Sequence, residues 1–529
     1  MQLSQDAIAQ TVAAVAGMMA GKPILFGPSG KPLKPSTGHA FRRDAAQRRG
    51  SMKNWVPRRL FGKDAESRER LAIVERSIDL SNNDPNAAGV IENIATYVVG
   101  SGLTPHLALD ADVLGIDKTK AKTISAQQRA VYDTWTPTAD AGGRMNFGQI
   151  QYLSKVSMLR YGEHFTVLPM LKDAVRPYSL ACQVIHPLRV KTPADKISDP
   201  AIKDGIELGA YGETTHIWIK KSDPTGLLPD ISKNFIRMPV KQGHRYNILH
   251  NFVCKEPEQV RGMPVFAAAM KYFRDLNDLL NAELVSNVVT AALTYFIEVG
   301  AGLDPWQQAV NLQTIEDTRY DSDGNEKDIR YQETYPGAIL YGNQGEKPHL
   351  LAADRPGTTF EPFTKVIKKA LSLSVNLPYP VLFKDVENTN FAGFRSAMLD
   401  AWRVFTMERT WHGENFCQPI YTMLMEEAYL RDQLAIPDFY ERMHLYTKAD
   451  WRGAPKGDIE PIKAVKADLL AISGRIKTRR QAIREHGNGD YDATMEQLEE
   501  EEEDLKARGL LTDAAEAGED PEDERSRED

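Results

Sequence analysis

Residues 261–289, RGMPVFAAAMKYFRDLNDLLNAELVSNVV, carry the clearest periodic pattern in the chain. Apolar side chains recur there every three or four positions, which predicts one long amphipathic helix. These side chains are Phe266, Met270, Phe273, Leu276, Leu280, Leu284 and Val288. Pro264 suits the first turn, where a missing N–H costs nothing. About 27 residues rising ~1.5 Å each give a rod of roughly 40 Å, which is longer than a typical globular helix.

The segments around this helix predict an α+β protein that is mainly helical. Upstream, residues 163–254 contain short runs rich in β-branched and aromatic residues, separated by Gly, Pro or Asp, which is typical of strands. Downstream, RYDSDGNEKDIRYQETY (319–335) predicts a hairpin turning at Asp323-Gly324-Asn325. Further helices are predicted at 67–97 (broken at SNNDPNAAG), 124–135, 147–161, 361–377, 394–430 (kinked near Pro419), 459–472 and 478–485.

Composition is that of an ordinary globular chain of several domains. The 529 residues are 42% apolar and 26% charged, enough for roughly three or four domains. Cys182, Cys254 and Cys417 lie far apart, which argues against a disulfide framework or a zinc site. The first residues lack the basic start of a signal peptide. The longest apolar run, 288–297, has about half the ~20 residues of a membrane span, so we expect a soluble intracellular protein with no membrane contact.

Charge is distributed unevenly. The segment 496–529 holds 16 acidic and 4 basic residues, whereas 42–70 holds 10 basic and 4 acidic residues. The net charge of −8 therefore combines a strongly acidic tail with a mildly basic remainder. This distribution suits contact with a polyanion, although two solvated charge runs are the commoner explanation.

Known catalytic and ligand-binding motifs fail at decisive positions. GPSGK (27–31) resembles the end of a phosphate-binding loop, but Leu25 and Pro32 stand where glycine and Ser/Thr are needed. DSDG (321–324) resembles a calcium loop, but Arg319 and Arg330 would occupy its ligand positions. Glu163-His164 lies on a predicted strand, where a structural role is the commoner one. We therefore predict no catalytic, cofactor or metal site.

A short polar loop separates two apolar segments near residue 388. NLPYPVLF (376–383) precedes it, and NTNFAGFR (388–395) leads into the predicted helix from Phe394. Lysines accompany the loop, on the helix before it and at its start, and an arginine follows it: Lys365, Lys368, Lys369, Lys384 and Arg395. An exposed helical face explains these charges, and so does a surface that faces nucleic-acid phosphate.

Five segments in the same order resemble the lambda-type portal proteins of tailed bacteriophages. They are LSNNDPNAAGVIENIATYVVGSGLTP (80–105), GIELGAYGETTHIWI (205–219), ILHNFVCKEPEQVRGMPVFAAAMKYFRDLNDLLNAEL (248–284), LPYPVLFKDVENTNFAGFRSAMLDAWRVF (377–405) and WRGAPKGDIEPIKAVKADLLAISGRI (451–476). The resemblance covers about 70–490. Two small departures are Asp84 before Pro85, and Glu256-Pro257-Glu258-Gln259 in place of the family's Arg-Pro-Gly-Gln.

The resemblance implies a ring, usually of twelve subunits, at the unique capsid vertex. Double-stranded DNA would be packaged and ejected through the ring without being read for sequence. The implied partners are the terminase large subunit, which supplies the ATP-driven motor, then head-completion or tail connector proteins, and also the major capsid and scaffold proteins. The protein would be assembled in the host cytoplasm and reside in the virion. The long helix would bury its apolar stripe against neighbouring subunits.

The same resemblance implies a multidomain portal fold of wing, stem, clip and crown. The expected parts are an N-terminal arm, partly disordered (1–65), the wing (66–260), stem helices (261–290 and 361–377), the clip (291–360), a tunnel loop, long wing helix and return segment (378–450), crown helices (451–495) and a disordered acidic tail (496–529).

The tunnel loop, near 385–393, is the expected DNA contact. Its candidate residues are Lys384, Asn388, Thr389, Asn390, Phe391 and Arg395, with Lys365, Lys368 and Lys369 as a possible basic lining. Two alternatives remain: another head–tail connector, which is usually smaller, and a metal-dependent nucleic-acid hydrolase.

Overall fold

The computed structural model describes residues 69–107, 109–222, 229–297, 314–320, 326–332, 338–341, 360–387, 389–457, 460–487 and 491–510. The predicted N-terminal arm, the GPSGK segment and the end of the acidic tail lie outside these residues. None of the described helices is long and apolar enough to cross a bilayer.

Two helices open the described chain, α1 (Arg70–Asn83) and α2 (Pro85–Val98). They meet at Asp84, whose carboxylate accepts hydrogen bonds from the backbone N–H of Asn86 at 2.7 Å and of Ala87 at 3.2 Å. An aspartate that caps a helix in this way satisfies donors that have no intrahelical partner. The break predicted at SNNDPNAAG is therefore confirmed, and Asp84 is its cause.

The next helices and strands build a first core. They are β1 (Thr104–His106), α3 (Ala111–Leu114), α4 (Lys118–Trp135) and α5 (Phe147–Tyr161). Asn146 and Gln149 cap α5 reciprocally, each side chain bonding the other's backbone N–H. Trp135 and Phe147 pack with Phe416 and Tyr421, which come from much later in the chain.

The β-rich section predicted at 163–254 is confirmed. Its strands are β2 (Glu163–Val167), β3 (Gln183–Ile185), β4 (Ile202–Lys203), β5 (Ile206–Leu208), β6 (Thr214–Lys220), β7 (Phe235–Pro239), β8 (Lys241–Gln242), β9 (Arg245–Tyr246) and β10 (Ile248–Phe252). They form an antiparallel sheet β10-β2-β3, a second antiparallel sheet β4-β5-β6-β7, and the hairpin β8-β9. Phe165, Ile206, Ile217 and Ile248 fill the core that these sheets share.

The long helix α6 runs from Met270 to Ala292. Its expected start near Pro264 is wrong by about two turns, and its 23 residues give roughly 35 Å instead of 40 Å. The backbone before Met270 makes tertiary hydrogen bonds instead, with Gly262 N–H donating to Glu163 at 3.2 Å and Val265 N–H to the Leu159 carbonyl at 3.0 Å. An N–H engaged elsewhere cannot join the helical ladder.

Strands follow α6. They are β11 (Leu293–Ile297), β12 (Thr314–Tyr320), β13 (Glu326–Gln332) and β14 (Ala338–Tyr341). Strands β12 and β13 pair antiparallel from Thr314↔Gln332 to Tyr320↔Glu326, so the predicted hairpin is confirmed, while its turn lies outside the described residues. Strand β11 pairs parallel with β14.

Four helical pieces come next: α7 (Phe360–Ser374), α8 (Tyr379–Leu382), α9 (Phe391–His412) and α10 (Gln418–Leu430). The kink predicted near Pro419 is a π-helical segment, Gly413–Cys417, that joins α9 to α10. Pro419 lacks an N–H, which frees the carbonyl four residues earlier. That carbonyl, on Asn415, accepts a hydrogen bond from the Asn251 side chain at 2.6 Å, which ties the irregular segment to β10.

The chain ends in α11 (Phe439–Tyr446), β15 (Asp450–Arg452), α12 (Pro461–Ser473), α13 (Arg479–Gly487) and α14 (Tyr491–Ala507). Strand β15 pairs antiparallel with β1, so a late segment of the chain joins an early one in a two-stranded sheet. Disorder from residue 496 is wrong for the first part of the acidic tail, since α14 continues to Ala507. Glu and Leu favour helix, and Lys506–Glu502 and Arg508–Asp504 pair one turn apart at 3.5 and 2.9 Å.

Candidate functional site

The loop between α8 and α9 starts from a fixed point. Val381 and Leu382, at the end of α8, are buried. Their carbonyls accept hydrogen bonds from the buried side-chain amide of Asn93 on α2, at 3.0 and 3.3 Å. Because both the packing and the hydrogen bonds hold α8, the loop that follows begins from a rigid support.

The other end of the loop is a helix cap. The Asn390 side-chain oxygen accepts a hydrogen bond from the Gly393 N–H at 2.7 Å, which makes Asn390 the N-cap of α9. A Cβ on Gly393 would lie 2.7 Å from that oxygen, so a larger residue there would make the Asn390 side chain shift. The side-chain oxygen of Asn390 is therefore occupied by the helix. Of the other predicted loop residues, Thr389 is half-buried, Phe391 is exposed, and Asn388 lies outside the described residues.

Asp385 ties the first half of the loop to the two preceding helices. Its Oδ2 accepts a hydrogen bond from the Tyr379 hydroxyl at 2.5 Å and lies 3.7 Å from the Lys365 Nζ. The Tyr379 hydrogen bond and then the charge of Lys365 hold the pKa of Asp385 below its usual value. Burial and the hydrogen bond to Asp385 raise the pKa of Tyr379 to about 12. Sequence analysis missed both residues, because no periodic spacing links 379 with 385.

The five basic residues predicted near the loop fall into different environments. Lys365 and Lys368 are half-buried, with Nζ 5.6 Å from the Tyr379 ring centre and 5.7 Å from the Phe383 ring centre. Such distances allow attraction between an ammonium group and an aromatic face. Lys369 and Lys384 are exposed. Two of the lysines therefore lie against aromatic side chains, while two are open to an incoming anion.

Arg395 is exposed and lies beside a groove of about 370 Å³ between α9 and α12. The groove is lined by Phe391, Phe394, Met398, Ala464 and Ala467, with Arg395, Lys456, Glu460 and Lys463 among its charged residues. Glu460 lies 4.0 Å from Arg395 Nη1 and 2.8 Å from Lys463 Nζ. One carboxylate thus faces two cations, and the groove keeps an excess of positive charge.

A buried ion cluster around Glu163 fixes the segment that leads to α6. Arg261 donates to both Glu163 oxygens, His250 Nε2 lies 2.9 Å from Oε2, and Arg70 Nη1 lies 3.5 Å from Oε1. Arg261 also donates to the carbonyls of three other residues: Val190, Asp204 and Pro187. The cluster joins α1, β2 and β10 to the segment that leads into the long helix.

The neighbouring histidine, His164, is also structural. Its ring and that of His412 both pack on Phe416, with ring centres 4.9 and 5.1 Å away. Burial lowers the pKa of His164 to about 3 and lowers that of His412 as well, so both rings are neutral near pH 7. Nearby, Lys155 pairs with Glu408 at 2.5 Å. In the described parts of the chain no three His, Cys, Asp or Glu side chains are placed to hold a metal ion.

The long helix buries only the first part of its apolar side. Phe273 and Leu276 are at most 1% exposed and pack with α2, α7 and α9 in a second core. Beyond them, as far as Val288, Leu279 is half-buried and the other apolar side chains are exposed, as are several on the adjacent α7. We call this set the exposed stripe: Leu280, Leu284, Val285 and Val288 of α6, with Phe363, Val366 and Leu373 of α7, which are 39–81% exposed.

Comparison with known proteins identifies the family. The model of the lambda family of phage portal proteins matches residues 48–409. "Portal protein" of Escherichia phage N15 is 20% identical over 521 residues, covering 92% of this chain and 94% of that protein. "Portal protein B" of Escherichia phage lambda is 20% identical over 454 residues, covering 82% and 84%.

A solved structure titled "Neck of empty GTA particle computed with C6 symmetry" aligns at a TM-score of 0.42 and 12% identity, covering 79% of this chain and 92% of the other. The family match spans well over half of the chain and includes the first four of the five segments noted in the sequence. The chain therefore belongs to the lambda family of phage portal proteins, which are structural and non-enzymatic proteins of the capsid vertex.

Proposed function

We propose that copies of this chain close into a ring, with twelve subunits as the expected number, and that double-stranded DNA passes through its centre. The observation that carries the proposal is the exposed stripe of α6 and α7. Contiguous exposed apolar side chains on a structural protein mark a contact surface. In a ring, such a face of one subunit packs against a different face of the next subunit. Repeating this contact by rotation closes the ring.

The loop at 383–390 and its basic surroundings would face the channel. Lys369, Lys384 and Arg395 offer exposed positive charge next to the loop. Contacts of this kind bind phosphate without reading bases, as a channel for any genome sequence requires. The neutral Asn388 and Thr389 would touch the duplex weakly enough to let it slide.

Partners follow from the family and not from the geometry. The terminase large subunit would dock on the ring during packaging, supply ATP hydrolysis and later give way to head-completion or tail connector proteins. The major capsid and scaffold proteins would surround the ring at the vertex, after assembly in the host cytoplasm. Membership of the portal family favours a structural role over the alternative considered from the sequence, a metal-dependent nucleic-acid hydrolase.

Imaging of the purified protein along its symmetry axis tests the proposal. Under capsid-assembly conditions we expect closed rings with a central opening. All rings should contain the same number of subunits. A stable monomer under those conditions, measured by light scattering at the same protein concentration, would contradict it.

A further inference from the structure

Asp385 occupies a particular position among the charges of the loop. Its carboxylate accepts a hydrogen bond from the Tyr379 hydroxyl and lies 3.7 Å from Lys365 Nζ, and both partners lie outside the loop. The charge of Lys368 also helps to keep the pKa of Asp385 low. Glu387, two residues later, is exposed and makes no hydrogen bond or ion pair with the residues that the structure describes. Two carboxylates of the same loop thus differ: one is held and the other is free.

The pair between Asp385 and Lys365 is open to competition. The two side chains are 23% and 29% exposed, so water and ions reach them. Ion pairs near the surface contribute little to stability and exchange readily. A DNA duplex presents one negative charge about every 1.7 Å along its axis, a far denser source of negative charge than one carboxylate. Phosphate that enters this region can therefore replace Asp385 at Lys365.

Movement of Asp385 would be confined to the middle of the loop. The carbonyls of Val381 and Leu382 are held by Asn93, and Asn390 caps α9 at the other end. Between these points Lys384 has a positive φ of 55°, a conformation that a lysine adopts only at a cost. Release of the neighbouring Asp385 would let Lys384 leave this conformation, so the two events are coupled through one peptide bond.

We propose that Asp385 is an internal counter-ion that competes with DNA phosphate for Lys365 and, through Tyr379, holds the loop against α7 and α8 until DNA replaces it. The inference rests on the proposed passage of DNA beside this loop. It adds that the number of cations available to DNA is regulated: Lys365 joins the contact only after Asp385 has left. The loop returns to its tethered position when the DNA has gone.

The test uses assembled rings carrying D385N, with E387Q as the matched control, since each removes one negative charge from the same loop. Binding of a linear duplex is measured by anisotropy over a range of salt concentrations, and loop opening by hydrogen exchange of residues 383–389. We expect D385N to bind DNA more tightly than E387Q at each salt concentration, because no internal ion pair has to be displaced, and with the same salt slope, because Lys365 contacts phosphate in both complexes. Hydrogen exchange of the loop should rise in D385N and stay at the wild-type level in E387Q.

A second variant, Y379F, separates the tether from the charge. It removes the hydroxyl that donates to Asp385 and leaves the Asp385–Lys365 pair in place, so loop exchange should rise while the salt slope stays as in wild type. Equal DNA affinities and equal loop exchange for D385N and E387Q would overturn this inference alone. Binding by wild-type rings that does not depend on salt would overturn the proposed DNA contact, and this inference with it.

Discussion

The guanidinium of Arg261 holds the carboxylate of Glu163 from 98 positions away in the chain, with Nε 2.9 Å from Oε1 and 2.8 Å from Oε2. Both side chains are almost wholly buried, at 2% and 0% exposed. The pair brings strand β2 to the segment that leads into the long helix.

Glu163→Gln should destabilise the subunit by about 3–5 kcal/mol, because it leaves the Arg261 charge buried without its partner. Urea denaturation of the purified protein measures the loss. Glu207→Gln is the control, since Glu207 pairs with Arg237 at 2.6 Å at the surface and should cost no more than about 1 kcal/mol. Equal effects of the two changes would contradict the structural role of the buried cluster.

Acidification should lower the free energy of unfolding of the wild-type subunit, because protonated Glu163 no longer forms an ion pair with Arg261. Burial alone would raise the pKa of Glu163, but Arg261 and His250 more than offset this and leave the pKa well below its ordinary value. Its stabilisation is therefore complete above the unfolded-state pKa of about 4.3 and is lost as pH falls below that value. The stability difference between wild type and Glu163→Gln should shrink from pH 5 downward, measured by urea denaturation at each pH.

Leu284→Glu should prevent ring formation while leaving the subunit folded. Leu284 is 63% exposed in the single chain, so a charge there is solvated until a neighbour would cover it. Light scattering and axial images give the oligomeric state. Phe273→Ala is the contrasting variant: its side chain is 1% exposed, so the change should cost about 3–5 kcal/mol of subunit stability. Intact rings of Leu284→Glu would argue against the exposed stripe as the interface.

Alanine at Lys369, Lys384 and Arg395 together should reduce DNA packaging more than alanine at Lys365 and Lys368. The first three are exposed, whereas the latter two already contact Asp385 or aromatic rings. Each lost phosphate contact lowers the salt slope of DNA binding by about 0.9. Packaging assays and ring images of the same preparations give the result. Unchanged packaging after replacement of all five residues would contradict a basic lining.

Asn390→Ala should destabilise the start of α9 by about 1 kcal/mol, since the Gly393 N–H loses its acceptor. Thr389→Ala serves as the control in the same loop. Hydrogen exchange at the first turn of α9 measures the effect, and equal exchange in the two variants would contradict the cap. Deletion of Asn388–Ala392 should still allow assembly and impair packaging, but it removes this cap as well, so point substitutions test DNA contact more cleanly.

Local patterns account for the parts of the fold that the sequence predicted well. The break at Asp84-Pro85, the α5 boundaries and the hairpin of β12 and β13 all depend on residues that are close in the chain. The two errors have different causes: a tertiary contact at the start of α6, and local charge pairing in the acidic tail. The start of α6 shifted because the Gly262 N–H is engaged with Glu163, and the acidic tail was expected to be disordered although its first part pairs its own charges one turn apart.

The sequence by itself determined that this is a portal-family chain with a long amphipathic helix, a β-rich section and a polar loop before α9. Helical period, turn residues and motif order are properties of neighbouring residues, so they can be recognised without coordinates. Only the tertiary structure decided which end of the long helix is buried and which basic residues are held back. Phe273 is buried and Leu284 is exposed because the core that α2 and α7 share with the long helix includes only its first part. Lys365 differs from Lys369 because Asp385 lies beside it. Burial and ion pairing depend on distance in space and not on separation in the chain.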